Sequence, residues 1–300
     1  MVITDSGQQA PTLYVIATPI GNLADFSQRA LETLKSVDLI AAEDTRHTGK
    51  LLEQSGVRYK KLISYHDHNE EQRAQSLVKE MLEKSLQVGL VSDAGTPCIS
   101  DPGFRLVSLA HQKKIRVVPV PGACAMAALV SASGLPSDRL LFTGFLPAKK
   151  KALEDEILSW KSVRASIVFY ESARRIQTST ELICRHFPEG HLAFGREISK
   201  LFEEIQVIHT QEAGLWLKQH ENLRGEFVVM LSAAHDQNGK QANPEQLKEL
   251  VLSLCLRHPD LSQKDLLEKI QSSGVTARKT ALYQILLEVR KEISEKDQKL

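Results

Sequence analysis

Long apolar runs are missing from this sequence. No stretch approaches about eighteen consecutive apolar residues, so no membrane-spanning helix is expected. Aromatic residues make up only 5% of the chain, which excludes extensive base stacking as a way of binding nucleic acid. Charge of one sign is missing too: 38 Lys and Arg face 37 Asp and Glu, a net charge of +1. The chain as a whole is therefore no polyanion binder, and nucleic acid must be met by local basic clusters or by shape. The four cysteines, Cys98, Cys124, Cys184 and Cys255, lie far apart, which fits neither a zinc site nor a small disulfide scaffold. Reduced thiols in a cytoplasmic protein are the expectation. Met1 to Pro11 is polar and lacks the basic-then-apolar order of a signal peptide. Several catalytic signatures are absent as well. There is no Gly-x-Gly-x-x-Gly, and Gly49-Lys50 and Gly239-Lys240 lack the upstream glycine of a phosphate loop. Neither Gly-x-Ser-x-Gly nor His-Glu-x-x-His occurs. Ordinary dinucleotide binding, phosphoryl transfer, ester hydrolysis and zinc proteolysis all lose ground.

What is present is a chain of 300 residues, 42% apolar and 25% charged, long enough for two domains with buried cores. In residues 1–120 short apolar runs alternate with amphipathic stretches. Strands are predicted at Leu13–Ala17, Asp38–Ala42, Leu62–Tyr65, Val88–Val91 and Ile115–Val120. Helices are predicted at Phe26–Lys35, Glu70–Leu86 and Gly103–Lys113. Repeated βα units of this length imply an open parallel α/β sheet. From Pro121 the texture changes. A run of small residues, Ala123 to Ser133, suits a closely packed helix. Strands at Leu140–Thr143, Ser166–Tyr170, Leu192–Glu197, Leu201–His209 and Glu226–Ser232 follow, the last three with little helix between them. Residues 121–235 thus read as a second, mixed α/β domain. Asp236 to Pro244 reads as a polar linker, and residues 236–300 as a small helical domain. There a helix opening at Leu261-Ser262, a turn at Ser273-Gly274 and a helix from Thr276 or Ala277 to about Ile293 fit either a helix-turn-helix or a helical hairpin.

Ligands of open parallel sheets bind beyond the carboxyl ends of the strands. Each predicted strand of the first domain runs into a polar or Gly/Pro cluster there: Thr18 to Leu23, Glu43 to His47, His66 to His68, Ser92 to Pro97 with Ser100 to Gly103, and Pro119 to Ala123. That shared edge is the candidate site. In Ser92 to Pro97, Gly95 can take a positive φ and let backbone approach a ligand, and Asp93 can accept hydrogen bonds from a ribose or an amino group. Asp93 and Asp101 could instead be turn and cap residues, but two such turns within about ten residues on this edge favour the site. Glu43, Asp44, Arg46 and His47 offer acid, base and cation within five residues, with Asp44 or Thr45 as a helix N-cap the plainer alternative. His66, Asp67 and His68 point to no third metal ligand and read as a solvated loop. Lys149 to Lys151 on an expected loop, Arg174 and Arg175 at a helix start, Arg196 and Lys200 around a turn, and Arg278-Lys279 suit phosphate contacts or plain solvation.

Six segments resemble one family in order and register: LYVIATPIGNL (Leu13–Leu23), AAEDTRHT (Ala41–Thr48), LVSDAGTPCISDPG (Leu90–Gly103), VPVPGA with SASGL (Val118–Ala123, Ser131–Leu135), FTGFLP (Phe142–Pro147) and REISKLFEE (Arg196–Glu204). The family is the bacterial small-subunit ribosomal RNA cytidine 2′-O-methyltransferases, within the tetrapyrrole-methylase fold superfamily. The resemblance covers residues 12 to 232 and, more loosely, the helical tail. It implies two α/β domains of tetrapyrrole-methylase type plus a small C-terminal helical domain. It also implies S-adenosylmethionine as methyl donor without a metal, a cytidine ribose of 16S ribosomal RNA in the small subunit as acceptor, and a homodimer. Carried over onto these positions, the donor site includes Pro19, Asp93, Ala94, Gly95, Thr96, Ser131 and Ala132, with Tyr170 and Leu201 closing it from the second domain. A ribose hydroxyl is a poor nucleophile at neutral pH, so a base is expected beside it, with Glu43, Asp44, His47 and Lys200 as candidates. Arg46, Lys149, Arg174, Arg175 and Arg196 are the candidates for holding RNA phosphates. A tetrapyrrole methyltransferase of the same superfamily is the alternative enzyme. Its glycine-rich first loop is replaced here by Thr18-Pro-Ile-Gly-Asn22. A non-catalytic nucleic-acid-binding module led by the helical tail is the alternative class.

Overall fold

The computed structural model describes residues 10–219, 224–233, 244–258, 261–272 and 282–290. Contacts divide the chain into two compact units, Met1–Ala233 and Ala234–Leu300.

The first unit holds two five-stranded sheets. In one, β1 (Thr12–Ile16), β2 (Leu39–Ala42), β3 (Leu62–Ser64), β4 (Gln87–Val91) and β5 (Arg116–Val120) pair in the order β3-β2-β4-β1-β5, all parallel. The apolar runs are nearly continuous because both faces are covered. Leu39 and Ala41 join Leu13, Val88 and Leu90 in one core, under α3 (Glu70–Lys84) and α4 (Phe104–Gln112). Ile40 and Ala42 join Ile16 and Val91 in the opposite core, under α1 (Gln28–Ser36) and α2 (Thr45–Gln54). Caps fix where these helices begin. The Ser27 hydroxyl accepts from the Ala30 N–H at 3.2 Å, and the Asp44 carboxylate accepts from the N–H groups of Arg46 and His47 at 2.8 and 3.3 Å. From β2 the chain runs on to β3 at one edge, and from β4 it runs to β5 at the other. The two connections diverge, leaving a crevice at the carboxyl ends of β2 and β4.

The second sheet is mixed. Strands β6 (Leu140–Phe145), β7 (Ser166–Ser172), β8 (His191–Arg196), β9 (Glu204–His209) and β10 (Glu226–Ser232) lie in the order β6-β7-β10-β8-β9. Only β6 and β7 are parallel; β10 runs antiparallel to β7 and β8, and β8 to β9. One face carries a large core of Trp160, Ile167, Phe169, Phe194 and Val229, under α6 (Lys150–Ser159), α7 (Ile176–His186) and α8 (Thr210–Gln219). The other face is covered by the small-residue helix α5 (Ala125–Ser133), whose Leu129 packs on Val168, Ala193, Val228 and Met230.

Three local expectations are corrected here. Helix α8 lies between β9 and β10. Its apolar side buries Ala213 and Leu217 and stacks Trp216 on Phe194, and Gly214 between them dilutes the helical pattern. Lys150 and Lys151 are not loop: they form the first turn of α6, because Leu153 and Ile157 bury that helix, while Lys149 stands just before it with no side-chain capping bond. Strand β9 begins at Glu204 rather than Leu201, since residues 197–203 turn tightly, with Glu197 and Ser199 at φ of 49° and 70°.

In the second unit α9 (Pro244–Arg257), α10 (Gln263–Ser272) and helical residues 282–290 share a core that includes Leu247, Val251, Leu266, Leu282 and Leu286. Ser262 opens α10: its hydroxyl accepts from the Asp265 N–H at 3.2 Å and donates to the Asp265 carboxylate at 2.6 Å. Most of the expected linker lies outside the described residues. So do Ser273-Gly274, the start of the last helix and Arg278-Lys279. Among the described residues no helix is long and apolar enough to cross a membrane.

Candidate active site

The segment Ser92 to Thr96, which leaves β4, ties the other strand ends together. The Thr18 N–H donates to the Gly95 carbonyl at 2.8 Å, and the Gly95 N–H donates back to the Thr18 carbonyl at 3.1 Å. The Thr18 hydroxyl adds a bond to the Ser92 carbonyl at 3.2 Å. Gly95 stands at φ +86°, with the Ile20 side chain 3.4 Å from where a Cβ would sit, so the bridge needs glycine for its backbone angle. The Thr96 hydroxyl donates to the Ala123 carbonyl beyond β5 at 3.1 Å. Toward β2 the link is reciprocal. The Asp93 N–H donates to Glu43 Oε2 at 3.3 Å, and Asp93 Oδ1 accepts from the Asp44 N–H at 3.0 Å. The ends of β1, β2, β4 and β5 thus form one hydrogen-bonded rim at the crevice.

Above that rim, between the two sheets of the first unit, lies a cavity of about 370 Å³, within the range of small-ligand sites. Glu43, Asp93 to Thr96 and Asp101 line it from the first sheet; Tyr170, Glu197, Lys200 and Glu226 line it from the second. Apolar wall comes from Ile20, Ile99, Phe145, Ile198, Phe227 and Val228. Acidic groups crowd the floor. Burial raises the Glu43 carboxyl above its ordinary pKa; the Asp93 N–H opposes this, and the charges of Asp93 and Asp67 add to it. Burial pushes Asp101 up to about 7 against a hydrogen bond from Ser92, with the charges of Glu43, Asp93 and Asp67 acting the same way. The Tyr170 phenol is raised by burial and stays protonated. Lys200 has its Nζ 3.0 Å from both Glu197 Oε1 and Glu226 Oε2. Burial would depress its ammonium, but those two hydrogen bonds outweigh burial and hold its pKa above the ordinary value.

A family model of the Tetrapyrrole (Corrin/Porphyrin) Methylases matches residues 12–214. The chain belongs to the tetrapyrrole methylase family. Within that family several relatives share one name. A Vibrio cholerae protein called ribosomal RNA small subunit methyltransferase I is 46% identical over 81% of this chain and 84% of its own length. A Pasteurella multocida protein of the same name is 43% identical over 92% and 96%. Solved structures share the fold: a diphthine synthase superposes with a TM-score of 0.56 at 15% identity, over 74% of this chain and 90% of that one. The uroporphyrin-III-C-methyltransferase of Thermus thermophilus superposes with 0.53 at 16% identity, over 77% and 98%.

This tetrapyrrole methylase brings some of the expected residues together and leaves others apart. Glu43, Asp93, Ala94, Gly95, Thr96, Tyr170 and Lys200 all face the cavity. Pro19 is buried in the rim without lining it. Asp44 and His47 lie outside: Asp44 caps α2 and ion-pairs with Arg46 at 3.2 Å, and His47 is exposed. Ser131 lines a separate groove along α5, and Ala132 is exposed. Leu201 is 90% exposed and outside the cavity wall, because the tight turn carries it away from the Lys200 ammonium. Of the expected phosphate-binding cations, Arg46, Lys149 and Arg174 are exposed. Arg175 instead donates to the Leu146 and Pro147 carbonyls at 2.8 and 2.7 Å and meets Glu171 at 3.3 Å. Arg196 donates to the Arg224 carbonyl at 2.9 Å and pairs with Glu204. Residues missed by sequence reasoning include Glu197 and Glu226, which anchor Lys200; Asp101, placed on the candidate edge by sequence with no role assigned, also lines the cavity.

Proposed function

We propose that this methyltransferase moves a methyl group from S-adenosylmethionine to the 2′-hydroxyl of a cytidine ribose in 16S ribosomal RNA, presented by the small ribosomal subunit in the cytoplasm. The observation that carries the reading is the cavity in which a carboxylate floor faces an apolar wall. A donor with a cationic sulfonium and ammonium, a nucleoside ribose and a flat base asks for both. The names of the relatives supply the acceptor, and the first loop, Thr18 to Asn22, has a single glycine where tetrapyrrole acceptors go with several.

Bound there, the donor would supply an already activated methyl carbon. Glu43 and Asp93 would hold its polar hydroxyl and ammonium groups, and Ile20, Ile99 and Val228 would cover its base. Lys200 does not act as the proton acceptor: two carboxylates keep it charged. Its stem packs over Gly21, where an added Cβ would collide with it, and the Ser199 hydroxyl donates to Asp25. These contacts join the 197–203 turn to the loop after β1 beside the cavity. Alignment of the hydroxyl for in-line attack supplies most of the acceleration, and a base adds to it. Arg46, Lys149 and Arg174 provide phosphate contacts.

The test is transfer of labelled methyl to purified small subunits that lack the modification, with a uroporphyrinogen-type substrate as the comparison. Label in the 16S ribosomal RNA, at a 2′-oxygen, is the expected result. Label in the tetrapyrrole alone would establish the alternative.

The working form proposed is a homodimer. Exposed Leu201 and Phe202 and the unpaired edge of β9, with Ile205 37% and Val207 40% exposed, support a surface for a second copy. Light scattering on the purified protein should give twice the 33.4 kDa chain mass, and Ile205→Lys should shift it to monomer.

A further inference from the structure

Among the described residues, every carboxylate in the cavity wall but one is partnered by a backbone N–H or a cation. Glu43 accepts from the Asp93 N–H and Asp93 from the Asp44 N–H. Glu171 is buried and accepts from the Ser172 N–H and the Ser179 hydroxyl while pairing with Arg175. Glu197 and Glu226 hold Lys200, and Glu197 also takes the Glu226 N–H. Asp101 has only the Ser92 hydroxyl; no cation or backbone amide partners it among the described residues.

The chain spends backbone strain to keep Asp101 there. Cys98 and Ser100 stand at φ of 69° and 63°, and Gly103 at 138°. A Cβ on Gly103 would meet Cys98 Sγ at 2.7 Å and Leu90 Cδ2 at 2.8 Å, and one on Gly144 of β6 would meet Ser100 Oγ at 2.9 Å. The loop is thus clamped between the two sheets, with its aspartate in the cavity wall.

We infer that Asp101 is the general base of the reaction, taking the proton of the substrate hydroxyl. The inference rests on the methyltransferase reading above. As the hydroxyl oxygen forms its bond to the methyl carbon, its proton passes to an Asp101 oxygen. The carbon–sulfur bond breaks with its electron pair going to sulfur, so the sulfonium becomes a neutral thioether. One positive and one negative charge disappear together. The groups facing Asp101 are Glu43 from the end of β2, Asp67 beyond β3, Asp93 and Ser92 beyond β4, Cys98 on its own loop and Tyr170 of β7. All the charged ones are acidic, so they hold the proton more firmly and favour its acceptance near neutral pH, where burial has already placed the group, at about 7.

The experiment uses the full chain, small ribosomal subunits and labelled donor under single-turnover conditions. Asp101→Asn should slow transfer by roughly 10²–10⁴-fold while donor binding, read by calorimetry, stays within about threefold of wild type. The wild-type rate should rise through a limb near pH 7 that the variant lacks, and Asp101→Glu should restore part of both rate and limb. An independent readout needs no turnover: in donor-free protein, carboxyl-labelled aspartate should show one group titrating near neutral pH that is missing in Asp101→Asn. A variant that transfers within about threefold of wild type with its limb intact, loss of donor binding in step with the rate, or no such titration overturns the assignment. No transfer by the wild-type protein, with the titration present, overturns the methyltransferase reading instead.

Discussion

Asp101 carries a cost at the scale of one residue. A carboxyl whose folded pKa, about 7, lies above its ordinary 3.8 binds its proton more tightly in the folded chain than in the unfolded one. Stability therefore falls as pH rises between those values and stays low above them. The full shift corresponds to about 4 kcal/mol; water at the open cavity relaxes the charge, so about 1–2 kcal/mol is the measurable part. Asp101→Asn should then be more stable than wild type by that amount at pH 8 and indistinguishable from it at about pH 3, below the unfolded value, by denaturant unfolding. A residue that destabilises the fold at working pH while slowing transfer when replaced is what a stability–activity trade-off looks like. Asp93 shows the opposite economy. Its carboxylate accepts the Asp44 N–H at 3.0 Å, a bond an asparagine oxygen can keep. Asp93→Asn should leave the melting temperature within about 2 °C but weaken S-adenosylmethionine binding roughly tenfold in calorimetry, through the lost charge alone.

At the scale of elements, the strand-end loops behave as one piece. The reciprocal Thr18–Gly95 bonds and the Glu43–Asp93–Asp44 exchange cross between strands far apart in sequence. The parallel sheet was legible because both its faces are buried and its strands read as unbroken apolar runs. The rim was legible because ligand loops follow parallel strands. Asp101 was legible as part of the candidate edge but not in its role: Asp-Pro-Gly describes a turn equally well wherever its side chain points. Leu201 was misplaced because a strand pattern runs through Leu201 to His209, while φ values of 49° and 70° at Glu197 and Ser199 hold the chain in a turn that composition does not announce. Helix α8 was hidden by Gly214 for the related reason that its burial, at Ala213 and Leu217, depends on a sheet built from distant strands.

For the whole molecule, near-zero net charge limits what electrostatics can contribute to docking. Arg175 and Arg196 are occupied within the protein, leaving Arg46, Lys149 and Arg174 as the exposed members of the proposed set. Three phosphate contacts give a salt dependence of log K against log salt no steeper than about −3. Titrating small-subunit binding between low and physiological salt should show this shallow slope. Replacing all three cations with alanine should flatten it further and leave donor affinity unchanged. A slope several times steeper would point to a basic surface elsewhere.

Local pattern alone determined the order of the strands, the parallel sheet with its loops on one edge, and the resemblance across residues 12–232, because periodicity and turn chemistry are properties of neighbours in the chain. Tertiary structure decided which polar side chains share a cavity, that Lys200 is held charged between Glu197 and Glu226, and that Asp101 alone among the wall carboxylates lacks an amide or cation partner among the described residues. A proton's affinity for a side chain is set by burial and by charges brought near through folding, and neither is written in the residue's own position along the sequence.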